Sequence, residues 1–488
     1  MQTRYSMRNA VIAAMAFAGA TCAVPAGAVM LSPNGVGQVL IYPYYTVRSA
    51  PGANAPYNSL LSVVNGSTRG KAIKVRFREA LAGAPVLELS VFMSIRDVWT
   101  LAVVPTADGA NALTTDTTCT LSARPASAAS PTTFTFDASS YATDPLGADP
   151  GRVREGFVEV LEMGTVRAGS NLEHAVNHVA GKPPCNLGSD LAIATDLDPP
   201  SGQLYGSMTL VSVLDGTAYQ YDAAALDYWS KAVQYAAPGI TRPTLGDATP
   251  AQSAVPFAGT LYFSSWGAGV DAVNAVLAAG STQAEFMREA NVNGATDIVY
   301  TMPTKPLLVS ATSAQAPFTE MLSANGACEV TTDYSHSREE QQYLPDQDQF
   351  NRPAYATMCW VTTVQSFNAN WPSPSVVLGS IAGIRHVLGD MERFPAPTIY
   401  SSGLAGQSFV GPYTPLGRLL LNSAPTTGTN IGSGIGYFLS PHMVYRGLPV
   451  VGVTMMRYVN GVVPVAGGTT LSNYGGGSTV KTFADIGF

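Results

Sequence analysis

Three glutamates lie in one short apolar segment, whose neighbouring side chains could shift the pKa of a carboxylate. The segment is rich in β-branched and apolar residues, which predicts a strand carrying Glu155, Glu159 and Glu162. Side chains alternate between the two faces of a strand, so Glu159 shares a face with Phe157 and Leu161. A carboxylate among apolar neighbours can have a raised pKa and act as a general acid.

Glu159 could also have a role other than catalysis. It could form a buried ion pair with Arg152 or Arg154, mark a sheet edge or contact a partner. A glycosidase would need a second carboxylate across a cleft, and the sequence does not identify one. A hydrolase that uses Glu159 is therefore an alternative, and we assign no catalytic residue.

His174 and His178 stand four residues apart in the segment 171–179, which we predict to be a short helix. Both imidazoles would face one side of that helix, the spacing at which two histidine nitrogens share a metal ion. Glu173 would point elsewhere, so no third ligand is evident. A plain surface helix explains the pair equally well, and no metal site is assigned.

The polar segment 333–352 contains Asp346-Gln347-Asp348, which resembles half of a calcium-binding loop. The remaining ligands and the turn glycine of an EF-hand are missing, so a solvated loop is the simpler interpretation. The same interpretation covers the neighbouring polar residues His336, Arg338, Glu339 and Glu340.

Common catalytic and nucleotide-binding motifs are missing from the sequence. There is no GxSxG, no HExxH and no P-loop. The glycine cluster at 432–436 has no βαβ unit to support a nucleotide and is predicted to be a loop. We therefore assign no cofactor and expect a protein without catalytic activity.

Aromatic residues offer a possible binding surface for a carbohydrate or an apolar ligand. Alternation places Trp99 and Trp360 in the core. Tyr42, Tyr44 and Tyr45 share one predicted strand, and because Tyr44 and Tyr45 point to opposite faces we expect at least one exposed ring. The remaining tryptophans are Trp229, Trp266 and Trp371.

The first 28 residues have the three-part layout of a secretory signal peptide. Arg4 and Arg8 precede the apolar stretch 10–24, and Ala26-Gly27-Ala28 gives a signal-peptidase site. The mature chain is predicted to begin at Val29. A lipid anchor on Cys22 is the alternative, but Gly19 and Thr21 fit a lipobox poorly.

Four cysteines remain after the signal peptide: Cys119, Cys185, Cys328 and Cys359. An even number in an exported chain predicts two disulfides. Among the three possible pairings, Cys119–Cys185 and Cys328–Cys359 join sequence neighbours and are favoured. None of the spacings is CxxC.

The overall composition limits the partners. Charged residues make up only 12% of the chain, and the formal net charge is −7. Without a run of lysines or arginines, nucleic acid and anionic membranes are poor partners. After the signal peptide, no apolar segment reaches the ~18–20 residues of a transmembrane helix.

Short alternating segments predict a mainly β protein, an antiparallel β-sandwich of Ig-like or jelly-roll-like type with long loops and a few short helices. Four of them follow at spacings near ten residues: 60–65, 71–79, 85–93 and 97–104. In the second, three apolar side chains (Ile73, Val75 and Phe77) alternate with three cations (Lys74, Arg76 and Arg78). Pro43 predicts an edge strand or a bulge for the strand around it.

We predict two regions after the signal peptide of 1–28. The first is a sandwich-like domain over 29–240 with a disulfide-tied insertion at 105–153, and the second is a β-rich region over 255–488. The Pro-rich segment 236–258 is a linker or a long loop. Helical spacing predicts helices over 222–235, 271–279 and 282–290.

Several stretches resemble a loosely described group of exported, cell-surface proteobacterial proteins. They are Gly37–Tyr45, Lys74–Glu79, Arg154–Gly164 and Asn473-Tyr474-Gly475-Gly476. The resemblance covers most of the mature chain. It implies an exported location and carries over no functional residue.

Together these features favour an exported cell-surface or extracellular structural protein that assembles with itself or with other surface components. A secreted or periplasmic protein that binds a glycan or an apolar ligand is the second hypothesis, and a carboxylate-dependent hydrolase is the third. An outer-membrane β-barrel is the fourth, because its strands are only weakly marked in a sequence.

Overall fold

The computed structural model describes residues 27–188, 193–287, 293–336, 342–343, 356–367, 375–386, 406–412, 420–422 and 444–487. The fold is mainly β, and every pairing between its described strands is antiparallel. Most of the predicted signal peptide (residues 1–26), Asp346-Gln347-Asp348, the glycine cluster at 432–436 and Trp371 lie outside the described residues.

The described residues of the amino-terminal half form fifteen strands: β1 (Met30–Leu31), β2 (Val39–Thr46), β3 (Asn58–Asn65), β4 (Lys71–Glu79), β5 (Pro85–Met93), β6 (Val98–Pro105), β7 (Ala110–Thr114), β8 (Cys119–Ser122), β9 (Thr132–Thr135), β10 (Glu155–Val166), β11 (Leu197–Asp198), β12 (Leu204–Tyr205), β13 (Ser207–Ser212), β14 (Thr217–Asp222) and β15 (Ala224–Asp227). One α-helix, α1 (Asn171–Val176), follows β10.

The described strands of the second half are β16 (Gln252–Phe257), β17 (Thr260–Ser265), β18 (Ala278–Ala279), β19 (Ser281–Phe286), β20 (Ala295–Thr301), β21 (Glu329–His336), β22 (Gln342–Tyr343), β23 (Ala356–Met358), β24 (Thr362–Phe367), β25 (Arg385–His386), β26 (Gly406–Pro412), β27 (Leu420–Asn422), β28 (Val444–Arg446), β29 (Leu448–Pro449), β30 (Val451–Val465), β31 (Gly468–Thr479), β32 (Lys481–Phe483) and β33 (Asp485–Gly487). Two helices, α2 (Gly269–Leu277) and α3 (Lys305–Leu308), lie among them.

Two sheets form the predicted sandwich in the first half. The first sheet has the order β1-β15-β2-β10-β4-β5-β8, and the second has the order β14-β13-β3-β6-β7-β9. Val75 and Val160 of the first sheet and Leu61 and Trp99 of the second belong to one buried cluster. The alternation in β4 therefore predicted its core face correctly.

Pro43 produces a bulge in β2, one of the two outcomes that the sequence allowed. β10 pairs Gly156 with Tyr45 and Val158 with Tyr42, so β2 has one more residue between these pairs than β10 has. β2 lies between β15 and β10 and is buried along its whole length. A proline inside a strand is tolerated there because the bulge removes the need for its N–H.

Two of the predicted helices are wrong. The segment 222–235 contains strand β15, in which Leu226 pairs with Val39 and Leu31 on opposite sides. The segment 282–290 contains β19, whose buried and accessible residues alternate with a period of two. In both cases, pairing with strands distant in sequence overrides a local spacing that also fits a helix. The predicted helix over 271–279 is present as α2.

The two halves share buried structure. Val299 and Val453 of the second half belong to the same cluster as the sandwich core. The Tyr57 hydroxyl donates to the Val377 carbonyl at 2.8 Å, and the Thr301 hydroxyl donates to the Pro43 carbonyl at 2.6 Å. One hydrophobic core therefore contains residues from both sides of the predicted boundary.

The structure contains both favoured disulfides, Cys119–Cys185 and Cys328–Cys359. The first attaches β8 to the loop after α1, with Cα atoms 5.4 Å apart. The insertion at 105–153 is more regular than expected, because β7 to β9 extend both sheets of the sandwich. Among the described residues, no helix is long and apolar enough to cross a membrane.

Candidate functional site

Glu159 is positioned by the two strands that flank β10. It lies opposite Arg76 of β4 on one side and Ile41 of β2 on the other. Its Oε1 accepts hydrogen bonds from Arg76 Nη1 at 2.6 Å and Arg78 Nε at 2.9 Å. The predicted apolar neighbour Leu161 is buried on the same strand, but the adjacent strand supplies two cations that the alternation of β10 cannot reveal.

These arginines reverse the expected behaviour of the carboxyl group. Burial alone would raise the pKa of Glu159, but the charges and hydrogen bonds of Arg78 and Arg76 outweigh it and lower the pKa. Glu159 is therefore ionised at neutral pH and cannot serve as the general acid that the sequence suggested. The predicted alternative of a buried ion pair is correct in kind, although the partners are Arg76 and Arg78 rather than Arg152 or Arg154.

A loop covers the cationic face of β4. Lys74 Nζ donates to the carbonyls of Ile240 and Arg242 at 2.7 and 2.9 Å, and Arg76 Nη2 donates to the Thr241 carbonyl at 2.6 Å. Arg76 Nε also pairs with Glu88. Residues 240–243, which are part of the predicted linker, thus cover buried charges, and we call them the lid. This corresponds to the long-loop alternative.

Because the lid contributes to the burial of Lys74, it also helps to lower the pKa of its ammonium group. Its burial, together with the charge of Arg76, lowers the pKa to about 8, although Glu88 acts in the opposite direction. We call Lys74, Arg76, Arg78, Glu88 and Glu159 the charge ladder. Its hydrogen bonds are directed to its own members, to the lid and to the Gly83 carbonyl, which accepts from Arg78 Nη1 at 2.8 Å, so the ladder is built as a structural support.

The other two glutamates of β10 are also fully engaged. Glu155 accepts from the Tyr44 hydroxyl at 2.7 Å and from the Ile381 N–H at 2.9 Å, and it pairs with Arg48 at 2.8 Å. Glu162 pairs with Lys71 at 2.7 Å and accepts from two backbone N–H groups of 201–202. None of the three glutamates offers a free carboxylate.

The two candidate metal ligands are not on one helix, so the helical spacing that predicted a shared side does not apply. α1 ends at Val176, and the next residue, Asn177, is extended, so His178 lies outside the helix that carries His174. His178 Nδ1 instead forms a hydrogen bond with Ser94 Oγ at 2.8 Å. Within the described parts of the chain, no group of three or more potential ligands could hold a metal ion.

A buried lysine that the sequence did not single out lies beside the second disulfide. Lys305 Nζ donates to the carbonyls of Ala327 and Met358 at 2.6 and 3.3 Å, next to Cys328 and Cys359. Burial lowers its pKa to about 8, against the effect of Glu329. The ammonium group therefore ties together the two chain segments that the disulfide also joins.

The aromatic prediction for β2 is wrong. The side chains of Tyr42, Tyr44 and Tyr45 are all fully buried. β2 has the sandwich core on one side and residues of the second half on the other, as the contact of Pro43 with Thr301 indicates. Trp99 and Trp360 are in the core as predicted, and Trp229 and Trp266 are buried as well.

An open cleft of about 480 Å³ lies at the end of the second sheet. Its walls come from the loop before β2, from β3, from residues 205–207 at the junction of β12 and β13, and from the end of β14. The lining residues are Asn34, Gly35, Val36, Ser62, Val64, Tyr205, Gly206, Ser207 and Asp222. Its size falls within the usual range of small-molecule sites.

The carboxy-terminal hairpin presents a second accessible feature. β31 is the last strand of the sheet β24-β20-β30-β31, and no described strand pairs with its other side. Residues 474–479 are exposed, and Gly468–Thr479 contains neither a charged residue nor a proline. Natural edge strands are usually protected by such residues, so this edge is open to pairing with another strand.

Glycines in β31 fit it against β14. A Cβ atom at Gly475 would come within 2.8 Å of the Ala218 carbonyl oxygen, and one at Gly477 within 2.9 Å of the Gln220 carbonyl oxygen. Gly476, between them, has no atom within 4 Å of an added Cβ and therefore faces solvent. One face of β31 is thus packed and the other is open.

No protein-family model, curated protein sequence or solved structure matches this chain.

Proposed function

We propose that this chain is an exported structural protein of the cell surface or extracellular space that associates with copies of itself through β31. Export is proposed from the amino-terminal signal and from the resemblance to exported proteobacterial proteins. Two disulfides and the lack of a membrane-spanning helix in the described residues are compatible with that location or with the periplasm.

The observation that carries the proposal is the open, uncharged edge of β31. An edge strand exposes alternate N–H and C=O groups that can continue a sheet into another molecule. Because the pairings between the described strands of this protein are antiparallel, we propose that two β31 strands pair antiparallel across a two-fold axis. Without charges on Gly468–Thr479, two copies meet without repulsion.

The size of the edge determines how strongly the copies bind. Six exposed residues on each chain bury much less than the roughly 1,200–2,000 Å² of stable protein complexes. We therefore expect weak, concentration-dependent association in dilute solution. A larger fraction of the copies is paired where many of them are held close together, as on a surface, because the effective concentration is then high.

The test is sedimentation equilibrium of the disulfide-bonded protein and of a charged-edge variant. Gly476→Lys with Ser478→Lys places lysines on the open face of β31, and Gly476 has room for a side chain. In an antiparallel pair these lysines would lie close to those of the second copy and repel them. The wild type should show reversible association that increases with concentration, and the variant should remain monomeric.

A matched control adds the same charge elsewhere. Val179→Lys with Met321→Lys replaces two exposed apolar residues outside β31 and should associate like the wild type. A second variant, Gly476→Glu with Ser478→Glu, should also be monomeric alone but should associate when mixed with the lysine variant. A strictly monomeric wild type, or a lysine variant that associates normally, would refute the proposal.

A further inference from the structure

We propose that the cleft beside Tyr205 binds a neutral saccharide. Saccharide rings combine an apolar face with a rim of hydroxyl groups, so their sites combine an aromatic surface with side chains that accept and donate hydrogen bonds. The cleft presents that combination within about 480 Å³, enough for a small number of sugar rings. This proposal does not depend on association through β31.

Tyr205 provides the aromatic surface. It is 44% exposed, whereas most other aromatic side chains near the sandwich are buried in the core. Its ring lies beside Gly66, where an added Cβ atom would be 3.4 Å from Tyr205 Cε1. The ring thus has support from the protein and a large accessible area, which is what stacking of a sugar requires.

Two exposed polar side chains at the rim have capacity for a ligand. Asn34 Oδ1 accepts from Ser32 Oγ at 2.6 Å and Val36 N at 3.2 Å, which leaves its Nδ2 group as a donor. Asp222 is exposed, and within the described residues its carboxylate has no hydrogen-bond partner. A donor and an acceptor pair of this kind suits the hydroxyl groups of a sugar.

The floor of the cleft is rigid. Ser62 and Ser207 bind each other through their hydroxyl groups at 3.2 Å, and the Tyr42 hydroxyl donates to the Ser62 carbonyl at 2.8 Å. A Cβ atom at Gly206 would lie 2.3 Å from the Tyr42 hydroxyl oxygen, so only glycine fits. A site formed in advance on paired strands loses little conformational entropy when a ligand binds.

The charge of the rim selects among saccharides. Asp222 is the only charged residue among those that line the described cleft. A uronic acid or a sialic acid would bring a second carboxylate close to it, and like charges repel in a partly desolvated site. We therefore expect neutral hexose or N-acetylhexosamine units and not acidic sugars.

The experiment uses an array of neutral hexose, N-acetylhexosamine and uronic-acid oligosaccharides, followed by calorimetry with the neutral oligosaccharide that binds best. The disulfide-bonded protein should bind neutral members of the array. Tyr205→Ala should weaken that binding at least about tenfold, because it removes the stacking surface. Tyr205→Phe should retain most of the affinity, and Asp222→Asn should reduce it by removing the stronger acceptor.

Phe483→Ala is the matched control, since it removes another exposed aromatic ring (43% exposed) that does not line the cleft. It should bind like the wild type, and so should the Gly476→Lys, Ser478→Lys variant. If Tyr205→Ala unfolds, Asp222→Asn at the exposed rim tests the same site. The proposal is overturned if no neutral saccharide binds, if only acidic saccharides bind, or if both cleft variants bind normally.

Discussion

Glu159 and Arg76 face each other across β10 and β4, with Oε1 and Nη1 2.6 Å apart and both side chains about 1% exposed. Two ions without solvent around them are stable only when their charges and hydrogen bonds are satisfied nearby. Arg78, Glu88 and the carbonyls of the lid supply those contacts. Arg76 also donates to the Thr241 carbonyl, 165 residues further along the chain, so the pair links a strand of the sandwich to a distant loop.

Glu159→Gln should destabilise the protein strongly. The substitution keeps the volume but leaves Arg76 and Arg78 as buried cations that lack their shared carboxylate. Breaking a buried pair on one side costs about 3–5 kcal/mol. The free energy of unfolding, measured by denaturant titration with the disulfides intact, should fall by that amount.

Glu285→Gln is the control for this change, because Glu285 is exposed on β19. Its effect should be within about 0.5 kcal/mol, as for most surface substitutions. A loss below about 1 kcal/mol for Glu159→Gln would contradict the structural role of the charge ladder.

We expect the carboxylate of Glu159 to cause part of the loss of stability at acid pH. The pKa of Glu159 is lower in the folded state than in the unfolded chain, because Arg78 and Arg76 outweigh the effect of burial. Its contribution to stability is therefore present above the unfolded pKa and is lost as the pH falls through the folded pKa. Unfolding free energies below about pH 4.5 should decline less steeply in Glu159→Gln than in the wild type. Equal slopes in the two proteins would show that the ionised carboxylate of Glu159 does not stabilise the folded state.

Local patterns predicted the parts of the fold that depend on neighbouring residues. The alternation of Ile73, Val75 and Phe77 identified the core face of β4, and the positions of the cysteines gave both disulfide pairs. The opposite face of β4 could not be interpreted in the same way. Lys74 and Arg76 have the pattern of a solvated face, and only the distant segment 240–243 makes them buried.

The cleft had no comparable signal in the sequence. Tyr205, Asn34 and Asp222 come from three separate segments, and pairing between strands distant in sequence, such as Tyr205 with Val64 and Ser207 with Asp222, brings these segments around one space. The three tyrosines of β2, by contrast, drew attention as a cluster but are buried because both faces of that strand are covered. Exposure depends on contacts between distant segments, which a single sequence does not specify.

Peptide mapping under non-reducing conditions should recover Cys119 linked to Cys185 and Cys328 linked to Cys359. Each bond closes a loop, of 66 and 31 residues respectively, so chain entropy predicts a stabilisation of up to about 4 kcal/mol for each. Replacing both cysteines of one pair by alanine should lower the unfolding free energy accordingly. Recovery of a Cys119–Cys328 or Cys185–Cys359 peptide would contradict the structure.

From the burial of Lys305 we predict that its contribution to the unfolding free energy rises at alkaline pH. Burial lowers its pKa to about 8 in the folded protein, whereas a solvated lysine has a pKa near 10.4. Between these values the unfolded chain holds the extra proton, so the unfolding free energy contributed by Lys305 increases with pH, by at most about 1.4 kcal/mol per pH unit. Lys74 acts in the same direction.

Lys305→Met should remove the Lys305 part of this slope between about pH 8 and pH 10, measured as denaturation midpoints at a series of pH values. Lys481→Met is the control, since Lys481 is exposed on β32 and should leave the slope unchanged. A slope in Lys305→Met equal to that of the wild type would show that the ammonium group is not held in the folded state as the structure indicates.

We predict that export and cleavage leave Val29 as the amino terminus of the protein. The sequence predicts a signal-peptidase site at Ala26-Gly27-Ala28. In the structure Val29 pairs with strand β16: its N–H donates to the Gln252 carbonyl at 2.8 Å, and its carbonyl accepts from the Ala254 N–H. Intact-mass measurement of protein from the medium or from the envelope fraction tests this. Ala28→Pro, next to the cleavage site, should leave an uncleaved, longer chain, whereas Val213→Ala in an exposed turn should be processed normally. A lipid-modified Cys22 at the amino terminus would replace this prediction by the anchored alternative.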